Sequence, residues 1–161
     1  MGKISLVRID ERLVHGQVMT KWSKGMGTNA IFIVDDATFK DDFMKTIFKS
    51  TGQRQGLTVD VFNIDGIIER WNQDQFGKYV VILLFKTVKD VYEAAKKGLP
   101  IEQLNVGGIA KKGDARYVIP TVGITNDDEA MLVELQASGM EVYFQTTPDT
   151  QKVLLKDAVK K

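Results

Sequence analysis

The 161-residue sequence holds one histidine, in the segment Arg8-Ile9-Asp10-Glu11-Arg12-Leu13-Val14-His15-Gly16-Gln17-Val18. Arg8 and Arg12 bring two fixed positive charges, and the planar fork of a guanidinium matches phosphate oxygens. Asp10 can steady an arginine or accept a hydrogen bond from one imidazole nitrogen, leaving the other nitrogen as a nucleophile. Gly16 lets the backbone approach a ligand closely, and free amides over residues 13–17, Gln17 included, are further candidates for holding an anion. These types at this spacing suit phosphate chemistry, with His15, Arg12, Arg8 and Asp10 as the reacting and charge-stabilising set. Two other readings stay open on the residues alone. The cluster could hold an anion with no covalent step, or His15 could act as a general base on a phosphorylated metabolite.

Other candidates stand where apolar runs end. Asp35, after Ile31-Phe32-Ile33-Val34, could orient an arginine or the imidazole. Lys86 and Thr87 follow Val80 to Phe85 and offer an ammonium and a hydroxyl to a phosphate, although Thr87 is equally explained as a helix cap. Gly107 and Gly108, after Leu104-Asn105-Val106, would permit a compact anion-holding turn. No nucleotide-binding glycine motif is present, so no nucleotide cofactor is expected. A single histidine and no cysteine exclude multi-histidine and thiolate metal sites, and no metal-binding spacing is present, so neither metal nor disulfide is expected.

With 22 Lys plus Arg against 21 Asp plus Glu, the formal net charge is +1, and no long basic run exists. General attraction to nucleic acid is therefore not expected. The longest apolar run, residues 79–85, is too short to cross a bilayer as a helix, and the N-terminus lacks the pattern of a signal peptide. The length and a 43% hydrophobic content fit one domain with one core.

What must position the cluster is an α/β framework. Short β-branched runs at 4–9, 30–34, 58–62, 79–85, 103–106, 117–124 and 141–145 alternate with helical patterns, which predicts a central, mainly parallel sheet with helices on both faces and an antiparallel edge among the last strands. The runs at 31–34 and 80–84 are apolar throughout and belong at the sheet centre. Helix starts are expected at Thr38 with Asp41, Thr87 with Asp90 and Asn126 with Glu129, and a last helix after Thr147-Pro148. Phe43, Ile47 and Phe48 form one expected core stripe. Val18, Trp22 and Met26 are expected inside a helix that follows His15. Residues 49–57 and 107–116 read as loops. Leu13 and Val14 are either an exposed apolar docking rim around His15 or buried pins of its loop.

The segment from Arg8 to Val18 followed by Trp22, with Val34-Asp35-Asp36, Leu83-Leu84-Phe85-Lys86 and Leu104-Asn105-Val106-Gly107-Gly108, resembles the enzyme IIB component of the mannose/fructose/sorbose class of bacterial sugar phosphotransferase systems. The resemblance runs over roughly the whole length in the same order. It implies that residues 1–161 are a single IIB-type phosphocarrier domain, cytoplasmic and peripheral to a membrane transporter. His15 would take a phosphoryl group on Nδ1 from the phosphohistidine of a IIA protein or domain. It would then pass the group to a sugar of the mannose, fructose, sorbose or amino-sugar kind, entering through membrane subunits IIC and IID. Pairing with a second copy of the chain is left open.

Overall fold

The computed structural model describes residues 3–16 and 18–159. In chain order the strands are β1 (Lys3–Asp10), β2 (Ala30–Val34), β3 (Thr58–Phe62), β4 (Val80–Phe85), β5 (Gln103–Gly108), β6 (Arg116–Ile119), β7 (Val122–Ile124), β8 (Glu141–Phe144) and β9 (Val153–Leu154). The helices are α1 (Ser23–Gly25), α2 (Asp36–Phe39), α3 (Asp42–Arg54), α4 (Ile64–Asp74), α5 (Val88–Lys96), α6 (Asn126–Ala137) and α7 (Leu155–Ala158), with a wide five-residue turn at Val18–Trp22 leading into α1.

Seven strands form one sheet in the order β3-β2-β4-β1-β5-β8-β9. Every pairing is parallel except the last, where β9 runs antiparallel to β8 and provides the expected antiparallel edge. β2 and β4 are apolar at every position because both of their faces are covered. On one face Val7, Ile9, Phe32, Leu83 and Val106 pack beneath α4, α5 and α6 through Ile67, Val91 and Leu132. On the other, Leu6, Ile31, Ile33, Ile82 and Leu84 meet Phe48 of α3 together with Leu13, Val14 and Trp22. The parallel order brings the carboxyl ends of β3, β2, β4, β1, β5 and β8 to one edge, where ligands collect in open α/β sheets.

Several local expectations are corrected. Residues 117–124 are a two-stranded hairpin, β6 and β7, turning at Pro120 and Thr121; Pro120 has no amide hydrogen for a ladder and breaks the run. Residues 49–54 are helix, not loop, because Gly52 lets α3 lie against β3, where a Cβ would sit 3.0 Å from the Leu57 carbonyl oxygen. Residues 107 and 108 belong to β5. Thr38 and Asp41 do not form one capping pair. Instead Asp35 caps α2 and Asp41 caps α3, while Thr87 caps α5 as expected. The box of α6 is shifted by one residue to Thr125 with Asp128. The last helix does not start at Thr147-Pro148; the Thr147 hydroxyl donates to Asp149, Thr150 closes the turn, and the chain continues into β9 before α7 begins at Leu155. Phe43 is 73% exposed and Ile47 39%, so only Phe48 of that stripe reaches the core. Met26 is exposed as well, whereas Trp22 is buried.

Candidate functional site

The site grows from the end of β1. Successive strand residues point to opposite faces, so Leu6, Arg8 and Asp10 share the face covered by the His15 loop. Arg8 and Asp10 are both fully buried. Beyond Asp10 the chain turns at once: the Leu13 amide donates to the Asp10 carbonyl at 2.9 Å, and Leu13 takes a left-handed backbone with φ 59°. A β-carbon makes that conformation costly, and it persists here because the Leu13 and Val14 side chains are both buried in the second apolar cluster. They are pins of the loop, not a docking rim. Glu11 ties the turn to the neighbouring strand end, its amide donating to the Gly108 carbonyl and its carboxylate accepting from the Ala110 amide at 2.8 Å.

The Asp10 carboxylate gathers three cationic or hydrogen-bearing partners. Oδ1 accepts from the Arg12 amide and Arg12 Nε, each at 3.1 Å. Oδ2 accepts from Arg12 Nη2 at 3.0 Å, from Arg8 Nη2 at 3.2 Å and from His15 Nε2 at 2.8 Å. Burial by itself would raise the pKa of this carboxyl, but the hydrogen bonds from His15 and Arg12 and the charge of Arg8 outweigh it, holding Asp10 well below the usual carboxylate range. An ionised carboxylate can only accept, so the hydrogen between the two groups sits on His15 Nε2. Nδ1 has no hydrogen-bond partner among the described residues, and in the neutral imidazole it is the nitrogen that carries the lone pair. The His15 side chain is 16% exposed, enough to be reached from outside.

Arg12 and Arg8 divide the positive charge differently. Arg12 is half exposed, and its Nη1 makes no hydrogen bond among the described residues. Arg8 does not reach the open face. Nη1 donates to Asn105 Oδ1 and to the Gln145 carbonyl at 3.1 Å, Nη2 donates to Asp10 and to the Thr146 carbonyl at 3.0 Å, and the Trp22 ring lies over the guanidinium at 5.3 Å. It can act on a bound anion only through Asp10 and its field.

The remaining candidates separate. Gly16 follows His15 and is exposed, with open space where a β-carbon would be. Gln17 lies outside the described residues. Asp35 is buried as the cap of α2, accepting from the Thr38 amide and hydroxyl, and touches neither an arginine nor His15. Lys86 is exposed beside Arg12, Leu13 and Asp35 along a shallow groove reaching Met44 of α3. Thr87 spends its oxygen on the Asp90 amide. Gly107 and Gly108 are buried in β5 against Arg8 and Asp10 and form no open turn. Sequence reasoning did not single out Asn105, Gln145 or Thr146. A signal for Asn105 was present, since a polar residue inside a buried strand needs a buried partner.

A family model described as the PTS system sorbose subfamily IIB component matches residues 4–161. The chain belongs to that family. It is 34% identical over 139 residues to the PTS system sorbose-specific EIIB component of Lacticaseibacillus casei, across 86% of this chain and 84% of that relative. The PTS system mannose-specific EIIAB component of Escherichia coli K12 is 30% identical over 158 residues, and this IIB chain spans 49% of it. Among solved structures, manxB from Thermoanaerobacter tengcongensis superposes with a TM-score of 0.91 at 38% identity, covering 100% of this chain and 97% of that one. The IIBSor domain of the sorbose permease from Klebsiella pneumoniae gives 0.88 at 28% identity, covering 97% and 95%. As a sorbose-family IIB component, the chain is a phosphotransferase in general kind and serves phosphotransferase-system sugar transport. The expected mainly parallel sheet with helices on both faces matches these IIB structures.

Proposed function

We propose that His15 is the phosphoryl carrier of this IIB component. Its Nδ1 lone pair attacks the phosphorus of a IIA phosphohistidine; the new N–P bond forms as the old one breaks, and the donor imidazole leaves with its electron pair. In the second step the oxygen of a sugar hydroxyl, presented by the membrane subunits IIC and IID, attacks the same phosphorus. The bond to Nδ1 breaks, its electron pair returns to His15, and the hydroxyl proton leaves to solvent or to a base of the membrane complex. The sugar is of the mannose, fructose, sorbose or amino-sugar class.

The observation that carries this reading is the 2.8 Å contact between His15 Nε2 and the buried Asp10 carboxylate, which leaves Nδ1 as the free nucleophile. Phosphoryl transfer through a loose transition state depends on positioning and charge stabilisation. Asp10 supports both by orienting the ring and stabilising the positive charge it gains while bonded to phosphorus. Arg12, anchored to Asp10 through Nε and Nη2, keeps Nη1 for a phosphoryl oxygen. Exposed Gly16 leaves room for the phosphoryl group beside the ring, and Lys86 adds charge to the approach. The fusion named in the mannose-specific EIIAB relative supports a IIA partner. No helix among the described residues is long and apolar enough to cross a membrane, which agrees with a peripheral place beside IIC and IID.

The test is phosphorylation of the purified chain by a reconstituted IIA donor cascade, with His15→Ala alongside. An acid-labile phosphate on the native chain and none on the folded variant is the expected result. Equal labelling of both overturns the assignment.

A further inference from the structure

β5 carries three residues whose presence the stability of a strand does not explain. Asn105 is fully buried and stands opposite Arg8 in the β1–β5 register. Its amide oxygen accepts from Arg8 Nη1 while its amide nitrogen donates to the Gln145 carbonyl at 3.2 Å. Two residues further the register slips, with Ile9 opposite Val106 but Asp10 opposite Gly108, so β5 holds one extra residue, Gly107. Neither glycine has a left-handed backbone; what both supply is space. A β-carbon on Gly107 would fall inside the Arg8 guanidinium, and one on Gly108 would lie 2.7 Å from Asp10 Oδ1 and 3.0 Å from Oδ2. The arginine gains little as a stabilising device. It is wholly buried and its Nε has no hydrogen-bond partner among the described residues, a placement that well-packed apolar residues match or better.

We infer that Asn105, Gly107 and Gly108 are positioning residues for the transfer step. They make β5 a flat template on which Arg8 and Asp10 lie in fixed register, so that the carboxylate holds His15 as the Nε2–H tautomer with Nδ1 outward. Asn105 and the Gln145 and Thr146 carbonyls lock the inner end of this chain of contacts, and the two glycines leave the clearance in which the guanidinium and carboxylate sit. This rests on the reading of His15 as the phosphoryl acceptor.

The variant Gly108→Ala tests it, since it displaces the carboxylate without altering any charge. Asn105→Ala is the second variant, removing bulk where the first adds it, and serves if the first does not fold. With histidine labelled by nitrogen-15, the ring nitrogens of the native protein are expected to show a protonated Nε2 and an unprotonated Nδ1. In either folded variant the two are expected to move toward the averaged values of a free, exchanging imidazole. The kcat of phosphoryl acceptance from a IIA donor falls on the order of 10²-fold, the cost of a misplacement near 1 Å, and KM for the donor is unchanged. A folded variant with native ring shifts and native kcat overturns the positioning role. Because the tautomer measurement needs no donor, it keeps the two failures apart: native ring shifts in the folded variants overturn the positioning role itself, whereas a native His15 that takes no phosphate overturns the carrier reading and with it the transfer step that the positioning would serve.

Discussion

Asp10 takes hydrogen bonds from Arg8, Arg12 and His15 at a point with no solvent exposure, and this gives the site a pH dependence of definite sign. Its pKa in the folded protein is lowered, so the stability it contributes is complete above the ordinary carboxylate pKa of about 3.9 and is lost as pH falls from there through the depressed folded value. Asp10→Asn has no such titration, and its amide would present a donor to groups that already donate. The variant is therefore expected to be less stable than the native chain at neutral pH, with the gap closing below about pH 4. Denaturant unfolding of both proteins across that range checks this, and a gap that stays constant down to about pH 2 contradicts it. At this scale the sequence was informative where charge and spacing sufficed. Arg8, Asp10, Arg12 and His15 are indeed brought together. What it did not reveal is that two arginines two residues either side of one carboxylate have different fates, one walled in by β5 and the segment after β8 and the other half exposed. That difference depends on which strand lies alongside, and parallel neighbours come from far along the chain.

The elements show a similar division. Apolar runs that are buried on both faces, such as β2 and β4, are legible because every position carries the signal. Amphipathic patterns are weaker guides, since an apolar stripe on a helix does not say how far the neighbouring layer extends. On α3, Phe48 lies under the sheet with Ile31, Val59 and Val61, while Phe43 and Ile47 project beyond it. Phe48→Ala is accordingly expected to cost about 3–5 kcal/mol, and Phe43→Ser to change stability by less than about 0.5 kcal/mol. Thermal and denaturant unfolding of the two variants separate these cases; comparable losses would place Phe43 in the core. Glycine misled for a related reason. Gly52 suggests a loop when read locally, but it lies within α3 because β3 approaches too closely for a side chain. Pro120 is the opposite case, a local signal sufficient to divide the 117–124 run into a hairpin although the flanking residues are strongly strand-forming.

For the molecule as a whole, the topology gathers the carboxyl ends of six parallel strands on one edge and places β1 between β4 and β5. The His15 loop is therefore set beside Lys86 on one side and the Gly107–Gly108 segment on the other. Chemistry on such an edge is open to a partner's approach, as the proposed successive transfer from a donor protein to a sugar in a membrane complex would require. A general base working alone on a small metabolite would instead need further titratable groups around His15. The site offers one buried carboxylate committed to His15 and to two arginines. On the proposed reading, Nδ1 of His15 takes the phosphoryl group because Asp10 occupies Nε2. Its most direct test is phosphorus–nitrogen correlation spectroscopy on the nitrogen-15-labelled chain after phosphorylation by the donor cascade. One phosphorus resonance coupled to His15 Nδ1, with Nε2 still bearing its hydrogen, is expected. Coupling to Nε2, or a phosphate on any other residue, would contradict it.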